Sequence, residues 1–186
     1  MRTLTTVILT VLACALMALV YIYVGLFDVA ADRPHGTMLK WLAEATRERS
    51  IAVRSIGIKV PELDSPALVD QGAHEYAEMC AGCHLGPGVA DNEFRRGLYP
   101  VAPALAAPEF EKERGEAAAR QFWIVKHGIK MSAMPAWGLT HDDDTIWSIV
   151  AFLQKLPGLT AEQYARMTRD PTVPAGPGHG HEGTAE

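Results

Sequence analysis

The longest apolar stretch of the chain lies at its N-terminus, where no charged residue occurs from Leu4 to Phe27. A run of this length is sufficient to cross a bilayer, since about 20 apolar residues span the hydrocarbon core. A cleaved signal peptide has a shorter apolar region of about 7–15 residues, followed by small residues at its cleavage site. The pattern therefore favours an uncleaved transmembrane anchor over residues 1–27.

The residues that follow the anchor, 28–64, are predicted to form a juxtamembrane helix or linker. Thr37 is the predicted cap of a helix that begins at Met38, with apolar positions at helical spacing as far as Ala45. The basic residues of the stretch are Lys40, Arg47, Arg49 and Arg54. This composition suits a helix at a membrane or partner surface. An ordinary solvated spacer helix fits the pattern equally well.

Three more helices are predicted in the middle of the chain. Ser65 and Pro66 begin one that continues to Met79, because serine caps a helix and proline suits its first turn. A second covers about 116–127, with Gly128 as its C-cap. No segment shows the alternation typical of a strand. The fold class expected is all-α, a domain of three to five helices preceded by a single transmembrane helix.

The last of these helices begins after Thr140, the predicted capping hydroxyl, and its apolar stripe ends at Leu156. Pro157 and Gly158 then stop it, which sets the predicted domain at residues 65–158. Beyond it the chain becomes rich in proline and glycine, so residues 159–186 are predicted to form a disordered tail.

Charge and cysteine content exclude several classes of protein. The chain has 17 Lys and Arg against 22 Asp and Glu, a formal net charge of -5. A nucleic-acid-binding protein would be expected to present a basic face, so no nucleic acid is expected as a partner.

There are 3 cysteines, of which Cys14 lies inside the apolar run. The other two share one motif, which leaves none for a structural disulfide.

That motif is Cys80-Ala81-Gly82-Cys83-His84, the attachment signature of c-type haem. The two thiols add across the haem vinyl groups, and the histidine ligates the iron. A zinc site would need further ligands beside the cysteines, and no second cysteine pair or His-x-x-x-His run supplies them. Zinc binding or thiol redox chemistry therefore remains the minor alternative to one covalent haem c.

From Ser65 to Gly158 the chain resembles class I cytochrome c. That family has a glycine and an aromatic residue eight and four positions before the first haem cysteine, and Gly72 and Tyr76 stand there. The resemblance implies that this pair packs against Ile149 and Phe152 of the last helix. It also implies that the carbonyl of Pro103, in the run Pro103-Ala104-Leu105, accepts a hydrogen bond from His84. Pro100 is the alternative for that role.

The resemblance implies a methionine as the second axial ligand. In the run from Met131 to Gly138, Met134 precedes a proline, as the ligand does in the family. Met131 and His127 are the rival ligands, and an open site is the remaining alternative. The predicted cofactor-binding residues are thus Cys80, Cys83, His84 and Met134, with His84 and Met134 on the iron and no catalytic residue.

Further side chains carry weaker expectations. Trp123 and Trp137 are candidates to pack on the porphyrin, and Arg95 and Arg96 to pair with a propionate or an acidic partner. A solvated surface is the simpler interpretation of the arginine pair. The tail histidines, His179 and His181, are a weak candidate for metal binding.

A histidine–methionine pair leaves no vacant iron position, which suits electron transfer rather than enzyme catalysis. The resemblance implies a membrane-tethered monohaem cytochrome, a shuttle or a subunit of a respiratory complex, whose partners are membrane or periplasmic redox proteins. No small-molecule substrate is expected. Arg2 before the anchor and Asp28 after it place the N-terminus in the cytoplasm, so the haem domain is expected on the periplasmic side of a bacterial inner membrane. A haem enzyme or gas sensor with an open or labile sixth position is the alternative.

Overall fold

The computed structural model describes residues 2–107 and 118–169, and within these ranges it contains helices and no strand. The chain divides into two compact units, one ending at His35 and the other beginning at Gly36. The α-helices are α1 (Arg2–Tyr23), α2 (Thr37–Arg54), α3 (Pro66–Met79), α4 (Ala81–His84), α5 (Glu93–Arg96), α6 (Ala118–His127), α7 (Asp143–Leu153) and α8 (Ala161–Met167). The predicted all-α class is confirmed.

The first unit is dominated by α1, which is long and apolar enough to cross a membrane by its length and composition. None of its described residues is buried within the protein. Cys14 is exposed on this helix. An isolated helix of this composition is stable in lipid because all its backbone polar groups bond within the segment.

The core of the second unit is the crossing of α3 and α7. A Cβ on Gly72 would lie 1.8 Å from the carbonyl oxygen of Ser148 and 3.0 Å from Cβ of Phe152. The rings of Tyr76 and Phe152 meet at a centroid distance of 5.3 Å. The expected partnership of Gly72 and Tyr76 with α7 is therefore confirmed. The atoms nearest Gly72 belong to Ser148 and Phe152, while Ile149 is fully buried in the same core.

The predicted helix starts are partly confirmed. Helix α3 begins at Pro66 with Ser65 in the N-cap position, although the Ser65 side chain makes no capping hydrogen bond. The cap of α2 is Gly36, not Thr37, which is the first helical residue. The prediction that Thr140 caps the last helix was wrong. Asp142 does so, because its carboxylate accepts a hydrogen bond from the backbone N–H of Thr145 at 2.9 Å.

The boundary of the predicted disordered tail was placed too early. Thr160 and Gln163 form a capping box that begins helix α8 at Ala161. Tyr164 on that helix is buried, with its ring 6.4 Å from Tyr76 and from Phe152. This contact fixes α8 to the core. His179 and His181 lie outside the described residues, as do the first two residues of the predicted helix over 116–127.

Candidate haem site

The Cys-x-x-Cys-His motif forms one turn at the end of α3. Cys80 ends that helix, and the next four residues form α4. The backbone N–H groups of Cys83 and His84 both donate to the carbonyl of Cys80, at 3.1 and 2.9 Å. A single turn thus holds both sulfurs and the imidazole, which is the arrangement that attachment to one porphyrin edge requires.

Burial suppresses the reactivity of one thiol of the motif. Burial, with smaller contributions from Cys83 and Glu75, raises the pKa of the Cys80 thiol to about 12. A reactive redox cysteine needs the thiolate form, which this shift disfavours. Among the residues that the structure describes, no group of three or more His, Cys, Asp or Glu side chains is placed to hold a metal ion. The zinc and thiol redox interpretations therefore gain no support.

His84 is oriented by the backbone that follows the motif. Its Nδ1 lies 2.8 Å from the carbonyl oxygen of Pro103. Because a carbonyl can only accept, Nδ1 carries the proton and the Nε2 lone pair is available to a metal. The backbone N–H of Leu105 donates to the carbonyl of His84 at 3.2 Å, which fixes the same segment a second time. Pro103, not Pro100, therefore occupies the expected role.

Electrostatics keep this imidazole neutral. Burial lowers the pKa of His84, the hydrogen bond to Pro103 raises it, and the nearby Arg95 guanidinium lowers it. The net shift is downward from the ordinary histidine value, so the ring is uncharged at neutral pH. A neutral imidazole is the form that ligates iron.

Hydrogen bonds of Asn92, Asp91 and Arg95 hold the loop between His84 and Pro103, and of these residues the sequence patterns singled out only Arg95, in a different role. The amide of Asn92 donates to the carbonyl of Gly82 at 3.0 Å, and its oxygen caps α5 by accepting from the N–H of Arg95. The Arg95 side chain donates to the carbonyl of Ala102 at 2.9 Å and pairs with Asp91 at 3.0 Å. These bonds connect the Cys-x-x-Cys-His turn to the segment that orients His84.

The interpretation of both arginines as solvated surface residues was wrong for Arg95, whose side chain is only 15% exposed. Arg96 is exposed. The sequence does contain a signal for helix α5, because Asn92 precedes Glu93 and asparagine is among the strongest N-cap residues. That signal predicts α5, but it does not predict the long-range bonds to Gly82 and Ala102.

The predicted methionine loop folds back on the end of α6. Gly128 has a positive φ of 63°, as expected of a C-cap glycine. A Cβ there would lie 2.7 Å from the carbonyl oxygen of Met134 and 2.6 Å from the carbonyl carbon of Pro135. The backbone N–H of Ile129 donates to the Met134 carbonyl, and that of Met134 to the Ser132 hydroxyl, both at 3.2 Å. The loop is therefore closed on itself.

The three candidate distal ligands differ in their surroundings. Met134 is half-buried and packs against the hydrophobic core. Met131 is 98% exposed, with a left-handed φ of 58°. His127 is exposed at the end of α6, its ring 5.0 Å from that of Trp123. Trp137, in the same loop as Met134, also packs against the core.

These residues fit a haem. Two cysteines and a correctly oriented imidazole lie on one turn. Half-buried apolar side chains pack against the same hydrophobic core that contains Cys80, namely Leu105, Ala106, Met134 and Trp137. Cys80 and Cys83 would hold the porphyrin covalently, and His84 would hold the iron. When bound, the haem iron supplies a one-electron ferric–ferrous couple.

Comparison with known proteins gives two matches for this region. Residues 67–153 match the model of the family described as cytochrome C oxidase, cbb3-type, subunit III. A curated relative, the cbb3-type cytochrome c oxidase subunit FixP of Rhizobium meliloti (strain 1021), is 35% identical over 94 residues. The match covers 50% of this chain and 29% of the relative, so the chain spans less than a third of that protein's length.

No solved structure matches the chain. The two matches coincide with the segment that carries the Cys-x-x-Cys-His turn and the α3–α7 crossing. Residues 67–153 are therefore a c-type cytochrome domain, and helix α1, long and apolar enough to cross a membrane, precedes this domain in the chain.

Proposed function

We propose that this chain is a membrane-tethered monohaem cytochrome that transfers single electrons as a subunit of a cbb3-type oxidase complex, with His84 and Met134 as axial ligands. The observation that carries the ligand assignment is the contrast between the two methionines. Met134 is packed at the core in a loop closed over Gly128, whereas Met131 is almost fully exposed. A single attachment motif in the sequence supports one haem.

The chain's own residues explain why this site transfers electrons rather than binding a substrate. Pro103 holds the His84 imidazole in one tautomer and increases its basicity as a ligand. A thioether on the opposite side stabilises the ferrous state and raises the reduction potential. With both positions occupied by protein, no coordination site is left for peroxide, oxygen or nitric oxide. The hydrogen bonds of the turn and of the loop would hold His84 and Met134 in position on a bound haem.

The membrane anchor supports a role beside membrane-bound partners. A tether converts the encounter with a partner in the same bilayer into a reaction at high effective concentration. We place the anchor in a bacterial inner membrane and the haem domain on its periplasmic side. Arg2 precedes the apolar run and Asp28 follows it, as the positive-inside rule requires of that orientation. The electron donor is then a membrane or periplasmic redox protein.

The proposal is tested by reconstituting the full-length holoprotein in vesicles with a cbb3-type oxidase core from which subunit III has been removed. The reduced protein is mixed rapidly with oxygen, and the haem c absorption is followed. Oxidation that requires the oxidase core is expected. Equal rates with and without the core would mean that the haem reacts with oxygen directly, which contradicts the proposal. No oxidation in the presence of an active core would contradict it as well.

A further inference from the structure

Helix α2 packs against the haem domain through one side only. Ile51 on that side is 2% exposed, and Glu48 forms an ion pair with Arg120 of α6. Burial raises the pKa of Glu48, but its hydrogen bonds and ion pairs with Arg47 and Arg120 together outweigh burial and hold that pKa below the ordinary value. These contacts fix the rotation of α2 about its own axis relative to the domain.

The opposite side of α2 is apolar and exposed. At about 100° per residue, Leu42 lies half a turn away from Ile51, and Met38 and Val53 lie within about 40° of Leu42. The exposed fractions of these side chains are 51% for Leu42, 82% for Met38 and 57% for Val53. We call these three residues, together with Arg49 between them, the outer face of α2. Large apolar side chains clustered in this way mark an interaction surface.

Arg49 differs from the other basic residues of the helix. Lys40 pairs with Glu44, Arg47 with Glu48, and Arg54 bonds to Ser50. None of the carboxylates in the described ranges forms an ion pair with Arg49, which is exposed in the middle of the outer face. An exposed apolar surface that carries one cation fits the boundary of an anionic bilayer, where acyl chains and headgroup phosphates meet.

The length of the chain limits how far this surface is from the membrane. Residues 28–36 join the last residue of the apolar run, Phe27, to the start of α2. Nine residues span at most about 30 Å when fully extended. We propose that the outer face of α2 lies on the anionic lipid surface of the membrane in which α1 is anchored. The proposal depends on the membrane anchor but not on the electron-transfer role.

The test uses the full-length holoprotein in nanodiscs that contain anionic lipid. Cys14 is first changed to alanine, and a spin label is then attached to a new cysteine in Leu42→Cys or in Ala43→Cys. Ala43 is the matched control, because it is the next residue, exposed, and about 100° further round the helix. Accessibility of each label to oxygen, which concentrates in lipid, is compared with accessibility to a water-soluble nickel complex.

The label at residue 42 is expected to favour oxygen, and the label at residue 43 to favour the nickel complex. Replacing anionic by zwitterionic lipid, or introducing Arg49→Gln, is expected to weaken the lipid contact. The ratio of attached label in lipid to attached label in water at residue 42 should fall about fivefold. Equal accessibility of the labels at residues 42 and 43 to the nickel complex would overturn the proposal. A label at residue 42 that is shielded from both reagents would overturn it in favour of a protein partner or a second copy. A ratio that does not depend on lipid charge would overturn the assignment to anionic lipid.

The haem spectrum of the same samples separates this inference from the proposed function. A sample with normal six-coordinate haem and a water-exposed label at residue 42 contradicts only the lipid contact. A sample with a lipid-exposed label whose reduced haem binds carbon monoxide contradicts only the ligand assignment and the electron-transfer role.

Discussion

The carbonyl oxygen of Ser148 lies only 1.8 Å from the position that a Cβ on Gly72 would occupy. Helices α3 and α7 therefore approach through their backbones at this point. Glycine inside a helix costs about 1 kcal/mol relative to alanine, and the close crossing offsets that cost by bringing the rings of Tyr76 and Phe152 together. Cys80 follows four residues after Tyr76, so the crossing also sets where the Cys-x-x-Cys-His turn begins.

The first prediction concerns this crossing. Gly72→Ala is expected to destabilise the holoprotein by about 3 kcal/mol or more, because the new methyl group collides with backbone rather than with a movable side chain. Gly97→Ala is the matched control, since its Cβ would meet atoms no closer than 3.5 Å. Denaturant unfolding followed by haem absorption measures both. Equal stability of the two variants would contradict the prediction.

The second prediction distinguishes the two methionines. Met134→Ala is expected to keep covalent haem, lose the weak far-red methionine–iron band and lower the reduction potential by on the order of 100 mV, a part of the range that axial ligands control. Met131→Ala is expected to leave both properties unchanged, because that side chain is exposed. Absorption spectra and redox titration report the result. The reverse pattern would assign the ligand to Met131, and no change in either variant would point to His127.

The third prediction concerns the glycine under the methionine loop. Gly128→Ala forces a methyl group to within 2.7 Å of the Met134 carbonyl at a positive φ, so the loop must move. We expect partial loss of the methionine–iron band and slow carbon monoxide binding to the reduced protein. Gly57→Ala is the control for backbone strain alone, because Gly57 also has a positive φ but has nothing within 4 Å of its Cβ position. Identical spectra for both variants would show that the loop does not depend on Gly128.

The fourth prediction is a pH dependence. The hydrogen bond from the backbone N–H of Thr145 lowers the pKa of Asp142, the cap of α7. Because the folded-state pKa lies below the unfolded value, the stabilisation is present above the unfolded pKa and is lost as the pH falls through the folded one. Asp142→Asn retains a capping side chain but does not titrate. Below about pH 4 the wild type should lose more thermal stability than this variant. If the melting temperatures of both proteins fall in parallel with pH, Asp142 is not the titrating cap of α7.

Much of the fold was predictable because its signals are local. The apolar run predicted α1, and Ser65 with Pro66 predicted the start of α3. Gly128, a residue type that commonly ends helices, predicted the end of α6, and in the structure it has the positive φ of a C-cap glycine. The family resemblance predicted the contact of Gly72 and Tyr76 with α7 and the bond between His84 and Pro103, both of which the structure contains.

The remaining features depend on contacts that are distant in sequence. Helix α8 is short, and its burial depends on Tyr164 reaching the rings of Tyr76 and Phe152. The role of Arg95 depends on the position of the Ala102 carbonyl in the folded loop. The choice of Asp142 over Thr140 as a cap was a local competition between two good capping residues, which spacing alone did not decide.

In the proposed site, this chain supplies both axial ligands of the haem iron, His84 and Met134. The absorption spectrum of the dithionite-reduced, full-length protein before and after addition of carbon monoxide tests this directly. We expect a low-spin spectrum that carbon monoxide does not change, and a methionine–iron band in the oxidised protein. Rapid formation of a carbon monoxide adduct would mean that the sixth position is open or labile and that Met134 does not hold it.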